Sequence, residues 1–350
     1  MEKQLRLGVI GAGAFSHTHL DGIKSAKNAV AVAICDVRPE LAEQQAARYG
    51  VPNVCKDYKE LLARDDIDAI TMPLPDQVHA EVAIAALRAG KHVLCEKPMA
   101  LNLQECQEMI KVAKETGKVL MVGQIGRYTP AFLEAKKIYE SGAIGELSLI
   151  ESEYAHDYSQ IGGSALPDGT PWRMTADRES IIGGGCHAVD LVRMIAGDPT
   201  EVFAYANNKS LVDWPIHDCC MAIMKFENGA IGKVMNSHGC KRNYTMRSVL
   251  YGTKGTVIFD NTSNTISLFK EKFTEDEVFA GKTQKVIEIK IPVTVNNHNF
   301  AAEVQDFCTA VLENKEIVTD GLNGAKTVKV CLSIVESFNT GEKVKIDYNI

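Results

Sequence analysis

The apolar-rich run Leu5 to Ile10 breaks off at Gly11, and a helical pattern begins only a few residues later, near Phe15. A strand with so little polarity has no wet face to show, so it must be covered on both sides, as parallel strands between helices are. The alternation continues with a strand from Ala29 to Cys35, a helix from Pro39 to Tyr49, a strand from Ile67 to Met72, a helix from Asp76 to Ala89 and a strand from His92 to Cys95. Helices from Leu103 to Thr116 and from Pro130 to Glu140, with a strand from Lys118 to Val122 between them, extend it. The pattern predicts a doubly wound α/β domain with a parallel sheet.

After Gly145 the period changes. Stretches such as ELSLIESEY, EVFAYA, SVLYGTKGTVIFD and KVIEIKIP alternate apolar with polar residues, and turn signals at 227–229 and 252–255 separate paired runs. A large, open and mostly antiparallel sheet is the expectation for this half. One helix, from His187 to Ala196, interrupts it, and two more, Phe300 to Glu313 and Asn323 to Phe338, close the chain. A chain of 350 residues exceeds what a single core serves. Two units are therefore expected, residues 1–123 and 124–350, with a ligand cleft between them and the final helices free to pack back on the first.

Composition narrows the partners. The net charge is -7 and no Lys/Arg run or basic stripe occurs, which excludes a nucleic-acid surface and leaves small molecules. The amino terminus enters a strand at once and no segment approaches ~18 apolar residues, so neither a membrane span nor a leader is expected and the location expected is the cytoplasm. Ten cysteines lie scattered in apolar segments, the pattern of reduced thiols rather than of a disulfide framework. His217, Cys219, Cys220, His238 and Cys240 invite a zinc reading, but consecutive strand residues face opposite sides, so too few ligands converge and no metal is expected.

The turn GVIGAGAFSHTH carries the first chemistry. Gly11 and Gly13, followed by Ala14, Phe15 and Ser16, let the backbone approach a pyrophosphate at the amino-terminal end of the next helix, although Ser16 stands where the dinucleotide pattern has a third glycine. Asp36 ends the second strand about 25 residues after the first glycine, where a carboxylate binds both ribose hydroxyls and repels a 2'-phosphate. NAD is the cofactor expected. Arg38, nearby, keeps NADP as the second option. Ligands of open parallel sheets bind beyond the carboxyl ends of the strands, so Lys97, immediately after Glu96 at the end of the strand His92 to Cys95, points into the cofactor crevice.

GVIGAG, PLPDQVHAEVAIAALRAGKHVLCEKPMA and GGGCHAVDL together resemble the glucose-fructose oxidoreductase / inositol dehydrogenase (Gfo/Idh/MocA) family of nicotinamide-dependent sugar and polyol dehydrogenases. The resemblance runs over nearly the whole chain and implies a Rossmann domain followed by an α/β domain with a large open antiparallel sheet, often used for oligomer contacts. It implies that Lys97 sits by nicotinamide and substrate, Glu96 beside the cofactor and Pro98 at the turn, with Leu74, Pro75, His79 and Arg127 also near the cofactor. It further places His187 in the catalytic constellation. The aspartate that the family commonly has four residues earlier is Gly183 here, which shifts the base role onto His187 together with Lys97.

Glycines 183 to 185 are expected to let the backbone approach a ligand, and Asp190, on the same helical face as His187, to hold the imidazole in one tautomer. A sugar presents a ring of hydroxyls and an apolar face, so Tyr154, His156, Trp172, Arg173, His238 and His298 are candidates for its recognition. The activity expected is hydride transfer between NAD and a secondary hydroxyl of a sugar, glycoside or cyclitol by a homodimer or homotetramer. Two alternatives stay open: a glycosidase that oxidises transiently and eliminates, using Glu153, His156 and Asp157, and a non-catalytic ligand sensor. Because Asp36 selects the cofactor, Asp36→Ser should weaken NAD use and narrow its advantage over NADP. Steady-state kinetics with both cofactors check this, and equal kinetics with the two in the unmutated protein would remove its basis.

Overall fold

The computed structural model describes residues 3–159, 166, 169–272 and 285–350. The first sheet is built from β1 (Leu5–Ile10), β2 (Ala29–Cys35), β3 (Asn53–Cys55), β4 (Ala69–Met72), β5 (His92–Glu96) and β6 (Leu120–Gly123), in the order β3-β2-β1-β4-β5-β6. Every pairing is parallel. The connecting helices are α1 (Ser16–Ser25), α2 (Pro39–Tyr49), α3 (Tyr58–Leu62), α4 (His79–Arg88) and α5 (Leu103–Thr116). Local chemistry sets their ends: Asp57 and Asn102 cap α3 and α5 by accepting the amides of Glu60 and Glu105, and Gly50 and Gly117 close α2 and α5 in the left-handed conformation. The strand order reverses between β1 and β4, which opens the crevice at their carboxyl ends.

The sequence pattern misses β3 and α3, which are too short to show a period. β4 begins at Ala69 rather than Ile67, β5 runs on to Glu96, β6 spans Leu120 to Gly123 rather than Lys118 to Val122, and the segment Asp76–Val78 is a separate 3-10 turn before α4.

The second sheet has nine strands: β7 (Leu147–Ala155), β8 (Glu201–Asn207), β9 (Cys219–Lys225), β10 (Ile231–Ser237), β11 (Thr245–Gly252), β12 (Gly255–Asp260), β13 (Thr265–Lys272), β14 (Lys285–Pro292) and β15 (Val344–Lys345), ordered β14-β13-β12-β11-β7-β10-β9-β8-β15. It is antiparallel except between β7 and β10, which run in parallel. Helices α6 (Pro130–Glu140), α7 (Ser180–Gly183), α8 (Cys186–Ala196) and α10 (Gly321–Thr340) meet one face, burying Phe132, Val189, Val234, Phe259 and Ile334. The opposite face leaves Tyr205, Met221, Ile223 and Ile231 exposed.

The last helices return to the first sheet. α9 (Phe300–Glu313) puts Val304, Phe307 and Cys308 into the core of Leu5, Leu7 and Val9, and crosses α1 at Gly22, where a side chain would meet the Phe300 carbonyl oxygen at 3.1 Å. α10 belongs to both remaining cores, with Ala325 and Val328 in one and Val330 and Ile334 in the other. The two sheets are thereby held across a cleft at the ends of β5 and β6. All ten cysteines are free thiols, and all but Cys219 and Cys240 are buried. Among the described residues no helix is long and apolar enough to cross a membrane.

Candidate active site

The turn after β1 is tight at its first glycine and open at its second. Gly11 has φ +105°, and a side chain there would lie 2.7 Å from the Pro73 carbonyl oxygen, with Leu74 against the same point. At Gly13 the space is open, Arg38 Nη2 being 3.7 Å away. Asp36 accepts the amide of Ala12 at 2.7 Å through one oxygen and the amide and Nε of Arg38 at 2.9 and 3.3 Å through the other, which aims its carboxylate across the mouth of the turn. Ser16 is buried and its hydroxyl donates to the Gly13 carbonyl, so it closes the turn in place of a glycine. Phe15 lies edge-on to His19 and Phe300, and Pro75 leads into the 3-10 turn.

Two expected cofactor contacts are engaged elsewhere. His79 is fully buried with its ring nitrogens on the carbonyls of Pro98 and Leu74, at 2.9 and 3.1 Å, so it ties the loop after β4 to the turn after β5. Glu96 turns inward, its Oε1 3.0 Å from His19 Nε2, while His19 Nδ1 is 2.6 Å from the Thr71 hydroxyl. Burial opposes ionisation of Glu96, but the His19 hydrogen bond, aided by the charge of Lys97, outweighs it and holds the carboxyl below its ordinary range.

Lys97 follows β5 directly and is half-buried. It lines a small cavity between the sheets together with Gln124, Cys186, His187, Asp190 and Thr327. His187 stands in the first turn of α8, stacked between Tyr154 (5.6 Å, 14° between planes) and His298 (6.0 Å, 26°). Burial, reinforced by the Lys97 charge, pushes its imidazole well below the ordinary value. His156 and His298 are pushed to about 4 mainly by burial, and their rings are 3.1 and 3.2 Å from the hydroxyls of Tyr154 and Tyr244. His238 stacks on Tyr158 at 3.8 Å and is likewise pushed well below, again chiefly by burial. The cleft is thus walled by neutral imidazoles and phenols, groups that donate or accept toward hydroxyls.

Several expectations are corrected. Asp190 does not hold His187: its carboxylate takes Arg127 Nε and Nη2 at 2.9 and 2.8 Å and the Thr327 hydroxyl at 3.1 Å. Arg127 is accordingly a buried strut between the 3-10 turn Ile125–Tyr128, which follows β6, and α8. Glycines 183 to 185 make room for side chains, not for a ligand, since side chains on them would meet Arg178 Nη1 at 2.2 Å, His238 Nε2 at 2.4 Å and Ile181 Cδ1 at 2.6 Å. Trp172 carries two cations on its ring, the guanidinium carbons of Arg173 and Arg178 lying 4.1 and 4.6 Å from its centre. Nor do Glu153 and Asp157 serve an elimination: Glu153 alternates away from Tyr154 toward Lys233, and Asp157 is held by Ser159 and Lys241.

Other residues of the site carry less signal in the sequence. Tyr158 continues the two-residue spacing of Tyr154 and His156 and could have been found by it, whereas Tyr244 and Arg178 carry no local signal. Glu303, in the first turn of α9, is fully buried with neither carboxyl oxygen partnered among the described residues. Burial, then the charge of Glu96, raises it well above the carboxylate range, so it stays protonated. Among the described residues no group of His, Cys, Asp or Glu is arranged to hold a metal ion.

The family model described as "Oxidoreductase family, NAD-binding Rossmann fold" matches residues 5–124, and that of the GFO/IDH/MocA C-terminal domain matches residues 132–258. The chain belongs to the Gfo/Idh/MocA family. A myo-inositol 2-dehydrogenase of Thermotoga maritima is 30% identical over 272 residues, covering 75% of this chain and 77% of that protein. A levoglucosan dehydrogenase of Pseudarthrobacter phenanthrenivorans is 29% identical, covering 87% and 86%. The solved complex of a levoglucosan dehydrogenase with NADH and levoglucosan superposes with a TM-score of 0.86 at 26% identity, covering 99% of this chain and all of that one. As in its Gfo/Idh/MocA relatives, the chain is an oxidoreductase with an NAD-binding Rossmann domain.

The neutral histidines tie stability to pH. Between the ordinary histidine value of 6.5 and about 4, the unfolded chain binds protons at His156 and His298 that the folded chain refuses. More protons on the unfolded state means that stability rises with pH, so it should fall as the pH drops through this window. Urea midpoints from pH 7 to pH 4 measure the slope, and His156→Gln with His298→Asn should flatten it. An unchanged slope in that double variant would contradict the assignment.

Proposed function

We propose that this protein oxidises a secondary hydroxyl of a sugar, glycoside or cyclitol with NAD, and that His187 and Lys97 act on the hydroxyl proton. The observation that carries the reading is the placement of Lys97 and His187 on the wall of one cavity at the carboxyl end of β5. The named activities of the relatives, on inositols and levoglucosan, support the substrate class. Gly11 and Asp36 would hold the dinucleotide, which when bound supplies the hydride acceptor.

The residues divide the work at one oxygen atom. The Lys97 ammonium donates a hydrogen bond to the substrate hydroxyl oxygen and stabilises the negative charge that grows on it. The His187 imidazole, kept neutral by burial, has a lone pair free to take the hydroxyl proton as hydride leaves the same carbon, so the carbinol becomes a carbonyl. Tyr154 and His298 fix the plane of that imidazole by stacking on it, and Arg127–Asp190 fixes the helix that bears it. We assign the cofactor half to residues 1–123 and the substrate half to 124–350, with the final helices packed across both. The protein works in the cytoplasm as a homodimer or homotetramer that covers Tyr205, Met221, Ile223 and Ile231 on the open sheet face.

Lys97→Ala and His187→Ala should each lower turnover by on the order of a hundredfold while NADH affinity by fluorescence titration changes little. Two groups serving one proton transfer fail together, so the double variant should be little worse than the poorer single one. Near-normal turnover in Lys97→Ala would show that the charge after β5 is structural. For the assembly, light scattering of the intact protein at micromolar concentration should return two or four chain masses, and a monomer mass would refute the covered face.

A further inference from the structure

The first turn of α9 sets a second carboxyl against the buried Glu96. Phe300 and Glu303 stand three residues apart on one face of that helix. The Phe300 ring lies 5.1 Å from that of His19, which in turn holds Glu96 Oε1. Gly123, at the end of β6, marks where the two carboxyls meet. Outside its chain neighbours, the three atoms nearest to a Cβ placed there would be the Cys95 carbonyl oxygen at 3.4 Å, Glu96 Oε1 at 3.5 Å and Glu303 Oε1 at 3.6 Å. One small space is thus bordered by three oxygens, two of them from carboxyl groups on different elements.

The two carboxyls are unequally supplied with donors. Glu96 takes His19 Nε2 on one oxygen at 3.0 Å and the Lys97 amide on the other at 3.2 Å. Glu303 has no exposed surface, and neither of its oxygens has a partner among the described residues. Two carboxylates this close together and out of water cannot both be charged, so the pair keeps one proton, and it sits on the group without donors. Asp306, one turn further along α9, is already engaged, accepting the Tyr128 hydroxyl at 2.7 Å. The O–H of Glu303 therefore needs an acceptor, and the oxygens bordering its space belong to Glu96 and Cys95. A water beside Gly123 would accept from Glu303 and donate to those two, which closes the count for all three.

The consequence falls on Lys97, which follows Glu96 directly. Its charge acts on both carboxyls, yet the ion-pair partner that Glu96 takes is His19. An ammonium next to a carboxylate short of donors folds back on it, and each donor the carboxylate gains elsewhere weakens that pull. We propose that Glu303 is a positioning residue for Lys97: it holds the proton of the carboxyl pair and donates through one water beside Gly123 to Glu96, which leaves the Lys97 ammonium free for the substrate hydroxyl. The inference rests on the dehydrogenase reading above for what Lys97 does. The proton on Glu303 does not enter the hydride transfer.

Infrared spectra of the intact protein at neutral pH test the pair without any substrate. The spectrum of the unmutated protein minus that of Glu303→Gln should contain one carbonyl band of a protonated carboxyl, above the carboxylate bands in frequency. Gly123→Ala, whose methyl would stand at ordinary contact distance from the three oxygens and displace the water, should move that band up, toward a carboxyl that donates to nothing. Absence of the band, or a band that Gly123→Ala leaves in place, overturns the proposal. For the role of Lys97, NADH formation is measured with myo-inositol and levoglucosan. Glu303→Leu should lower kcat by about tenfold with KM and NADH affinity little changed, and Glu303→Gln, whose amide still donates, should recover most of the loss. Gly123→Ala should lower kcat in the same way while leaving both carboxyls in the chain. Turnover in Glu303→Leu equal to that of the unmutated protein, or no recovery in Glu303→Gln, also overturns the proposal and leaves the dehydrogenase reading standing. NADH from neither compound in the unmutated protein counts against that reading, and the infrared band then still decides the carboxyl pair.

Discussion

The paired hydrogen bonds between Arg127 and Asp190 fix where everything else in the cleft can be. Arg127 lies in the 3-10 turn that follows β6, Asp190 sits one turn into α8, and the same arginine reaches Asn323 at the start of α10 at 2.8 Å. Arg193, one turn further along α8, extends the contact to Thr327 at 2.6 Å. Such a buried pair adds little net stability compared with apolar packing, but removing one partner strands a charge and costs about 3–5 kcal/mol. Its value here is registration: with α8 locked to β6, His187 is set at a fixed height above the end of β5, where Lys97 emerges. The Asp76–Arg178 pair does the same on the other side of His187, between the loop after β4 and the segment before α7.

Within this frame the imidazoles are chemically unlike free histidine. They lie close to one another and to Lys97, and taking them out of water favours their uncharged form. They therefore keep their lone pairs in conditions where an exposed imidazole would be charged. The phenol of Tyr154 is shifted in the opposite sense by the same burial and remains protonated. Burial, with the Lys97 charge beside the imidazoles, thus gives the cleft both donors and acceptors without net charge on either kind of ring.

Much of this was legible in the chain because periodicity reports burial, and burial is what the layers share. Leu5–Ile10, Pro39–Tyr49, Leu103–Thr116 and Pro130–Glu140 could be placed to the residue, since each is bounded by a glycine, a proline or a capping side chain, and Ala29–Cys35 by its unbroken apolar run between Asn28 and Asp36. Which strands pair was less legible: the parallel contact of β7 with β10 joins segments some eighty residues apart, and alternation says nothing about partners. In the site, Lys97 and His187 were found because their surroundings form recognisable blocks. The partner of Asp190 is not legible, because helical spacing gives only neighbours on the same helix, whereas Arg127 arrives from the turn after β6. Arg178 was hidden by Gly183, whose missing side chain reads equally well as room for a ligand or for a neighbouring guanidinium.

The groups on the two sides of the cleft come from different sheets. Lys97 and the dinucleotide turn belong to the parallel sheet, while Tyr154, His238 and Tyr244 stand at adjoining ends of β7, β10 and β11, which are neighbours in the other. Strand-end residues carry few of the ladder bonds that hold a sheet together, so the register of the sheet does not depend on which side chains stand there. A duplicated copy of such a gene can therefore diverge in what it recognises while inheriting its redox half intact, and selection has separate handles on the two.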